Sequence, residues 1–210
     1  LVEDAPHTSR FVIVDDYEIR GGGIVREAIA DEQSIARRNI LARNYMWQPS
    51  QIPHRKRAAR YSQRATLILI TGQESDGKKN IAERLEDQLF TEGKMVYFIG
   101  IGNILSGISA DVTEEHGGRT EQIRRLAEVA HLFLDAGMLL IVTAVELTQE
   151  DLELIQFAIT PDRIETVWVG DQMTTDIKAD LHLSNNIGLD EAIAAIKERL
   201  VDNKIIFHPV

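Results

Sequence analysis

The chain has no cysteine among its 210 residues, which excludes disulfide bonds, thiolate metal sites and a cysteine nucleophile, and fits a reducing compartment. It has no long hydrophobic run either. The longest apolar stretches, near residues 66–70 and 138–145, fall far short of the roughly 20 residues a membrane-spanning helix needs. No membrane association is expected, and a cytoplasmic location is. The chain starts at Leu1, with neither a Met nor a basic segment leading into an apolar one, so a fragment of a longer protein is expected rather than a secretory leader. Repeats and low-complexity tracts are missing too. Positive charge is scarce: 23 Lys and Arg face 33 Asp and Glu, a net of −10 that argues against a dominant polyanion-binding surface. What is present, 44% hydrophobic and 27% charged residues, fits a soluble globular chain with one main core.

The basic residues are concentrated. Arg37, Arg38, Arg43, Arg55, Lys56, Arg57, Arg60 and Arg64 occur in a stretch without Asp or Glu, so the remainder of the chain carries −18. Tyr45, Trp47 and Tyr61 lie in the same stretch, and aromatic residues among arginines could stack on nucleic-acid bases. The net acidity argues against nucleic acid. The expectation is that Trp47 packs this segment onto the C-terminal part of the chain, while its arginines pair with carboxylates there.

Upstream, residues 11–14 and 17–25 read as two strands joined through Asp15 and Asp16, with Gly21, Gly22 and Gly23 suiting a bulge or a close backbone approach. Two strands bury no core alone. A helix is expected over about residues 31–45, with Ile35, Ile40 and Leu41 as its apolar positions and Asp31 or Ser34 as its cap; Pro49 and Pro53 should end regular structure. Downstream, apolar strands at residues 66–71, 95–99, 139–145, 165–169 and 180–184 alternate with amphipathic helices at about 77–90, 120–135 and 149–157. A last helix carries Ala192, Ile193, Ile196 and Leu200. This alternation predicts an α/β fold, a parallel five-stranded sheet with helices on both faces.

The segment Gly72-Gln73-Glu74-Ser75-Asp76-Gly77-Lys78-Lys79 directly follows the first of these strands. It matches seven positions of the phosphate-loop pattern G-x-x-x-x-G-K-[ST], in the strand-loop-helix setting that pattern needs. Backbone N–H groups at the helix start hold a phosphate there while the lysine supplies charge. The eighth position departs from the pattern. A Ser or Thr hydroxyl would ligate magnesium, whereas Lys79 has no acceptor and repels the cation. Glu74 and Asp76 add negative charge near an incoming phosphate. ATP, ADP or a simpler anion at Gly72, Ser75, Asp76, Gly77, Lys78 and Lys79 is one reading, with magnesium disfavoured; a strand-loop-helix turn that persists without a nucleotide is the other. The six histidines have no metal-ligand spacing and read as solvent-facing or capping groups.

Over most of residues 60–205 the sequence resembles the adenylylsulfate kinase (APS kinase) family, P-loop kinases that transfer the terminal phosphate of ATP to the 3'-hydroxyl of adenylylsulfate. The resemblance is carried by Val96-Tyr97-Phe98, Asn103, Gly107 and Asp111, by Arg119-Thr120-Glu121-Gln122-Ile123-Arg124-Arg125, and by Glu128-Val129-Ala130, Leu132-Phe133 and Asp135-Ala136-Gly137. It implies substrate contacts at Asn103, Arg119 and Arg124. The departures fall on working parts. Where the family reads D-G-D-N-x-R, this chain reads Gly100-Ile101-Gly102-Asn103-Ile104-Leu105. A Ser-Pro-Tyr-Arg loop is replaced by Glu146-Leu147-Thr148-Gln149, and a long basic lid shrinks to residues 170–178. Phosphoryl transfer needs a metal, an orienting carboxylate and cationic stabilisation, so impaired catalysis is expected. An active kinase using Glu146 or Asp171 as replacement acids is the alternative.

Residues 9–15 and 21–25 are similar to the last strands of the elongation-factor-like GTPase subunit of sulfate adenylyltransferase, which is often fused ahead of an APS kinase domain. The implied order is the end of that β-barrel at residues 1–30, a basic helical linker at 31–64 and the kinase-like domain at 65–210. The implied partners are the GTPase-like domain in the same chain, a small sulfurylase subunit and a second copy in a homodimer.

Overall fold

A computed structural model describes residues 10–15, 18–24, 32–74, 77–113 and 118–207. The expected turn residue Asp16, the cap at Asp31, and Ser75 and Asp76 of the loop lie outside the described residues. The chain divides into two compact units, Leu1–Ile35 and Ala36–Val210.

In the first unit, β1 (Arg10–Asp15) and β2 (Glu18–Ile24) pair as an antiparallel hairpin whose register shifts between Ile13 and Val14. The glycines serve close approach: a Cβ on Gly23 would stand 2.7 Å from the Phe11 ring. Phe11, Val12, Ile13 and Val14, which point alternately to the two faces, are all exposed.

The second unit begins within α1 (Glu32–Met46) and continues through α2 (His54–Tyr61) to β3 (Leu67–Gly72). Then come α3 (Gly77–Thr91), β4 (Val96–Gly100), the short turn α4 (Ile101–Asn103), which runs into a π-helical turn at Ile104–Ile108, and α5 (Gly118–Asp135). β5 (Leu139–Thr143), α6 (Gln149–Ala158), β6 (Ile164–Val169), β7 (Leu181–Leu183) and α7 (Leu189–Asp202) complete it. Five parallel strands run in the order β4-β5-β3-β6-β7, as the apolar runs predict.

Side-chain alternation along β3 splits the core. Leu67 and Leu69 join α1, α5 and α6 on one face, and Ile68 and Ile70 join α3 and α7 on the other. Ile81, Leu85 and Leu89 of α3 and Ile123, Leu126, Ala127, Ala130 and Leu134 of α5 are buried, as their spacing requires.

Two expectations need correction. Ile35 and Leu41 are exposed, and the buried face of α1 is Ala36 and Ile40, because the helix lays a narrow stripe against α5 and α6 while arginines flank it. Pro53 does not end regular structure; it stands at the N-cap of α2, where a missing N–H is harmless. Trp47 does pack onto the α/β domain, edge-on to His131 at 4.5 Å between ring centroids. Arg43, Arg37 and Arg64 reach Glu128 (2.9 Å), Glu153 (3.9 Å) and Asp162 (3.7 Å). His131 is half-buried rather than solvent-facing, with Nδ1 3.1 Å from the Ala158 carbonyl.

Candidate functional site

The central strand β3 leads into α3 on one sheet face, and its neighbour β5 leads into α6 on the other. Their chains diverge above the C-terminal strand ends and open a crevice there, the usual ligand position in an open α/β sheet. Gly72 sits at its floor with φ +149, and a Cβ would lie 2.0 Å from the Val169 carbonyl oxygen of β6. Only glycine lets β3 and β6 stay paired while the chain turns into the loop. The segment after β5 is tied to the same floor: the Leu147 N–H donates to Thr71 Oγ1 (2.9 Å), and that of Glu146 to the Gly72 carbonyl (3.0 Å).

Lys78, in the first turn of α3, is buried, and its Nζ donates to the Gln73 carbonyl. Desolvation draws its pKa below the usual lysine value, against the pull of the Glu74 and Glu146 carboxylates. Lys79 is exposed and lies 3.7 Å from Glu83, one turn along α3. A cavity of about 370 Å³ is lined by Glu74, Lys78 and Lys79 on one side, Ile101 after β4, and Thr143, Ala144 and Val145 at the end of β5. A smaller recess, about 170 Å³, is lined by Gly77 and Asn80 of α3 and by Ser184 and Asn185 after β7. With Lys78 and the N–H groups of the first turn of α3, the crevice can hold an oxyanion.

The other candidate residues are not among those that line this cavity. Asn103 is exposed on α4. Arg119 at the start of α5 donates to Asp151 Oδ2 from Nε (3.0 Å) and Nη2 (2.8 Å), and to the carbonyl of Glu146 (3.0 Å). Arg124 is held by Glu121 on its own helix through two 2.7 Å bonds. Arg119 is thus tied to the β5–α6 connection that borders the cavity, and Arg124 is neutralised within α5.

The departures from the family pattern have structural counterparts. Glu146-Leu147-Thr148-Gln149 forms the entry to α6, with Leu147 buried and Thr148 making a reciprocal capping box with Asp151. Residues 170–178 are fastened to that entry: Thr174 donates to Glu146 (2.7 Å), Thr175 to the Leu147 carbonyl (2.7 Å), and Gln149 N–H to Asp176 (2.9 Å). Asp171 accepts from Ser184 (2.5 Å). Glu146 also carries φ +45, a left-handed backbone that a non-glycine residue adopts at an energetic cost. No local sequence signal marks that strain, whereas the capping box is readable in Thr148-Gln149-Glu150-Asp151.

The phosphate-loop pattern places a magnesium-ligating hydroxyl at the residue after Lys78. Lys79 presents an ammonium with no lone pair there, directed toward Glu83.

The sequence profile of the family described as adenylylsulphate kinase matches residues 64–181. An adenylyl-sulfate kinase of Clostridium acetobutylicum is 34% identical over 113 residues, 54% of this chain and 56% of that protein. The bifunctional enzyme NodQ of Rhizobium sp. strain N33 is 37% identical over 102 residues, 49% of this chain and 16% of the enzyme. The chain therefore spans between about half and a sixth of the length of these relatives. Among solved structures, the APS kinase CysC of Mycobacterium tuberculosis superposes with a TM-score of 0.59 at 26% identity, over 66% of this chain and 99% of that one. A second structure of that kinase, in complex with AMPPNP and APS, superposes with a TM-score of 0.57 at 23% identity, over 66% and 99% of the two chains. Through the profile match over residues 64–181, more than half of its length, this chain belongs to the adenylylsulphate kinase family.

Proposed function

We propose that this chain serves sulfate activation as a member of the family that binds a nucleotide or a related anion at residues 72–79 but transfers phosphate poorly. The observation that carries this reading is Lys79, an ammonium paired with Glu83 at the position where a metal-ligating hydroxyl belongs. Two further features support it. Gly100 and Gly102, on either side of the cavity-lining Ile101, stand where the family pattern has carboxylates, and residues 170–178 are bonded to the α6 entry rather than extended as a basic lid. The cavity at Lys78 would take phosphate, and the recess beside Asn80 and Asn185 would take a base or ribose. The Mycobacterium tuberculosis protein, in complex with AMPPNP and APS, supports ATP or ADP as the nucleotide.

In the same reading, the hairpin ends an elongation-factor-like barrel of a sulfate adenylyltransferase GTPase-like domain in a longer chain, served by a small sulfurylase subunit. The bifunctional Rhizobium relative, of which the matched residues make up 16%, supports a place in a longer chain.

A fully active adenylylsulfate kinase is the second reading, favoured by identity to proteins of that name and by Glu146, whose carboxylate acts on Lys78. Incubation with magnesium-ATP and adenylylsulfate separates the two. The first reading expects turnover far below the ordinary kinase range of about 1 to 100 per second, and product formed within that range would overturn it. Replacing the misplaced ammonium, Lys79→Ser, should make nucleotide affinity magnesium-dependent, measured by calorimetry with and without the metal. Equal affinities under both conditions would remove Lys79 as the cause.

A further inference from the structure

The opposite pole of the sheet carries a second cavity, of about 270 Å³, which shares no residue with the first. It is bounded by His54 and Arg55 of α2, Arg64 ahead of β3, Gly137 ahead of β5, and Asp162 and Arg163 ahead of β6. Its guanidinium groups are incompletely neutralised. Arg163 Nε and Nη2 donate to the carbonyls of Ala65 (3.1 Å) and Leu134 (2.8 Å), and among the described residues it forms no ion pair. Burial pulls its pKa down, despite Asp162 and Asp135 nearby. Arg64 has Nη1 3.7 Å from Asp162 and Nη2 on the Asn203 carbonyl (3.3 Å), while its Nε is buried without a partner. Arg55 is exposed and has no ion pair among the described residues, and the His54 ring lies 3.8 Å from Asp135.

Carbonyls polarise a guanidinium but do not discharge it, and a buried cation without a counter-ion is costly. Three arginines line the cavity with one carboxylate, Asp162, and even with Asp135 close to His54 and Arg163 the balance leaves positive charge for an anionic ligand, which a guanidinium holds through charged hydrogen bonds. The volume limits that ligand to a small molecule. We propose that this cavity is a second anion site, taking a phosphate-type oxyanion carried on a small organic body. It would place an anion beneath α2, in contact with the strand entries rather than the strand exits.

Calorimetry with inorganic phosphate and with phenyl phosphate, at constant ionic strength against chloride, tests this. Lys78→Ala disables the loop at residues 72–79 and should leave saturable phosphate binding in place. In that background Arg55→Ala, at an exposed residue with no ion pair among the described residues, should weaken binding about tenfold, the loss of one charged hydrogen-bonding group. Arg64→Gln should do the same, and phenyl phosphate should bind more tightly than phosphate. Unaltered binding in Arg55→Ala, or binding no stronger than chloride in the Lys78→Ala protein, would overturn the proposal. Binding lost with Lys78→Ala but kept in Arg55→Ala would assign the phosphate to the loop, leaving the reading of that loop intact while removing this one. If Lys78→Ala does not fold, Arg55→Ala alone, scored for a lost second binding event at saturating AMPPNP, decides the matter.

Discussion

Gly72 is the residue on which the crevice depends, because a β-carbon there would meet a backbone carbonyl, Val169 O at 2.0 Å, that cannot rotate away. Gly72→Ala should therefore destabilise the fold by about 3 kcal/mol, the upper range for forced overpacking, read as a lower urea midpoint. Lys78 predicts a pH dependence. Only the ammonium attracts an anion, and desolvation holds its pKa below the ordinary lysine value. Affinity for sulfate, which does not titrate in this range, should be highest below that lowered pKa and fall as pH rises through it, at a lower pH than an exposed lysine would give. Calorimetric titrations from neutral to alkaline pH check this; a flat profile that drops only at the ordinary lysine value would contradict it. Both residues are legible from one motif, since the tight turn and the phosphate charge are written into G-x-x-x-x-G-K. The strained φ of Glu146 and the fully buried Gln63 are not. Gln63 bonds the Met95 and Gly137 carbonyls and the Met95 N–H, and nothing in its neighbours forecasts partners that arrive from the segments ahead of β4 and β5.

Legibility at the level of elements depends on the width of the apolar stripe. α3, α5 and α7 bury three or more apolar residues at helical spacing, so their period reveals both the helix and its inner face. α2 has the sequence His54-Arg55-Lys56-Arg57-Ala58-Ala59-Arg60-Tyr61 and buries no residue completely, so no periodicity reveals it. Its seat is instead a gap in another element: Gly137, at φ +90, lets Arg57 and Tyr61 lie where a β-carbon would come within 3.1 Å of both. α1 is legible as a helix but not in its orientation, because two of its three expected apolar residues lie outside the stripe that docks. The α5–α6 junction rests on Asp151, which accepts from the Thr148 N–H (3.0 Å) and from both Arg119 donors. Asp151→Ala removes the reciprocal cap and releases Arg119 from the cavity border. A loss of about 1 to 2 kcal/mol is expected from urea unfolding, most of it from the cap since Arg119 is half-exposed. Arg119→Ala added to Asp151→Ala should then cost little more, because the two act as a unit.

Across the whole molecule, the concentrated positive charge turns out to be divided in use. Arg37, Arg43 and Arg64 meet carboxylates, whereas Arg55, Lys56 and Arg60 stay exposed on α2 without an ion pair among the described residues. The apolar residues are divided as sharply. Every residue of the two core clusters lies at Ala36 or beyond, while the hairpin leaves Phe11, Val12, Ile13, Val14 and Ile19 exposed. A two-stranded hairpin is at best marginally stable alone, and its open edges and apolar faces invite pairing with another chain. Removal of residues 1–31 should therefore leave the thermal midpoint of the remaining chain within about 2 °C of the original, since every described residue of the two core clusters lies beyond the cut. The same truncation should lower the fraction of dimer and higher species in sedimentation velocity, by exposing less unpaired strand. A midpoint lowered by much more than that would mean that the hairpin contributes to the stability of the α/β unit. Unchanged association would contradict a role for the hairpin in it.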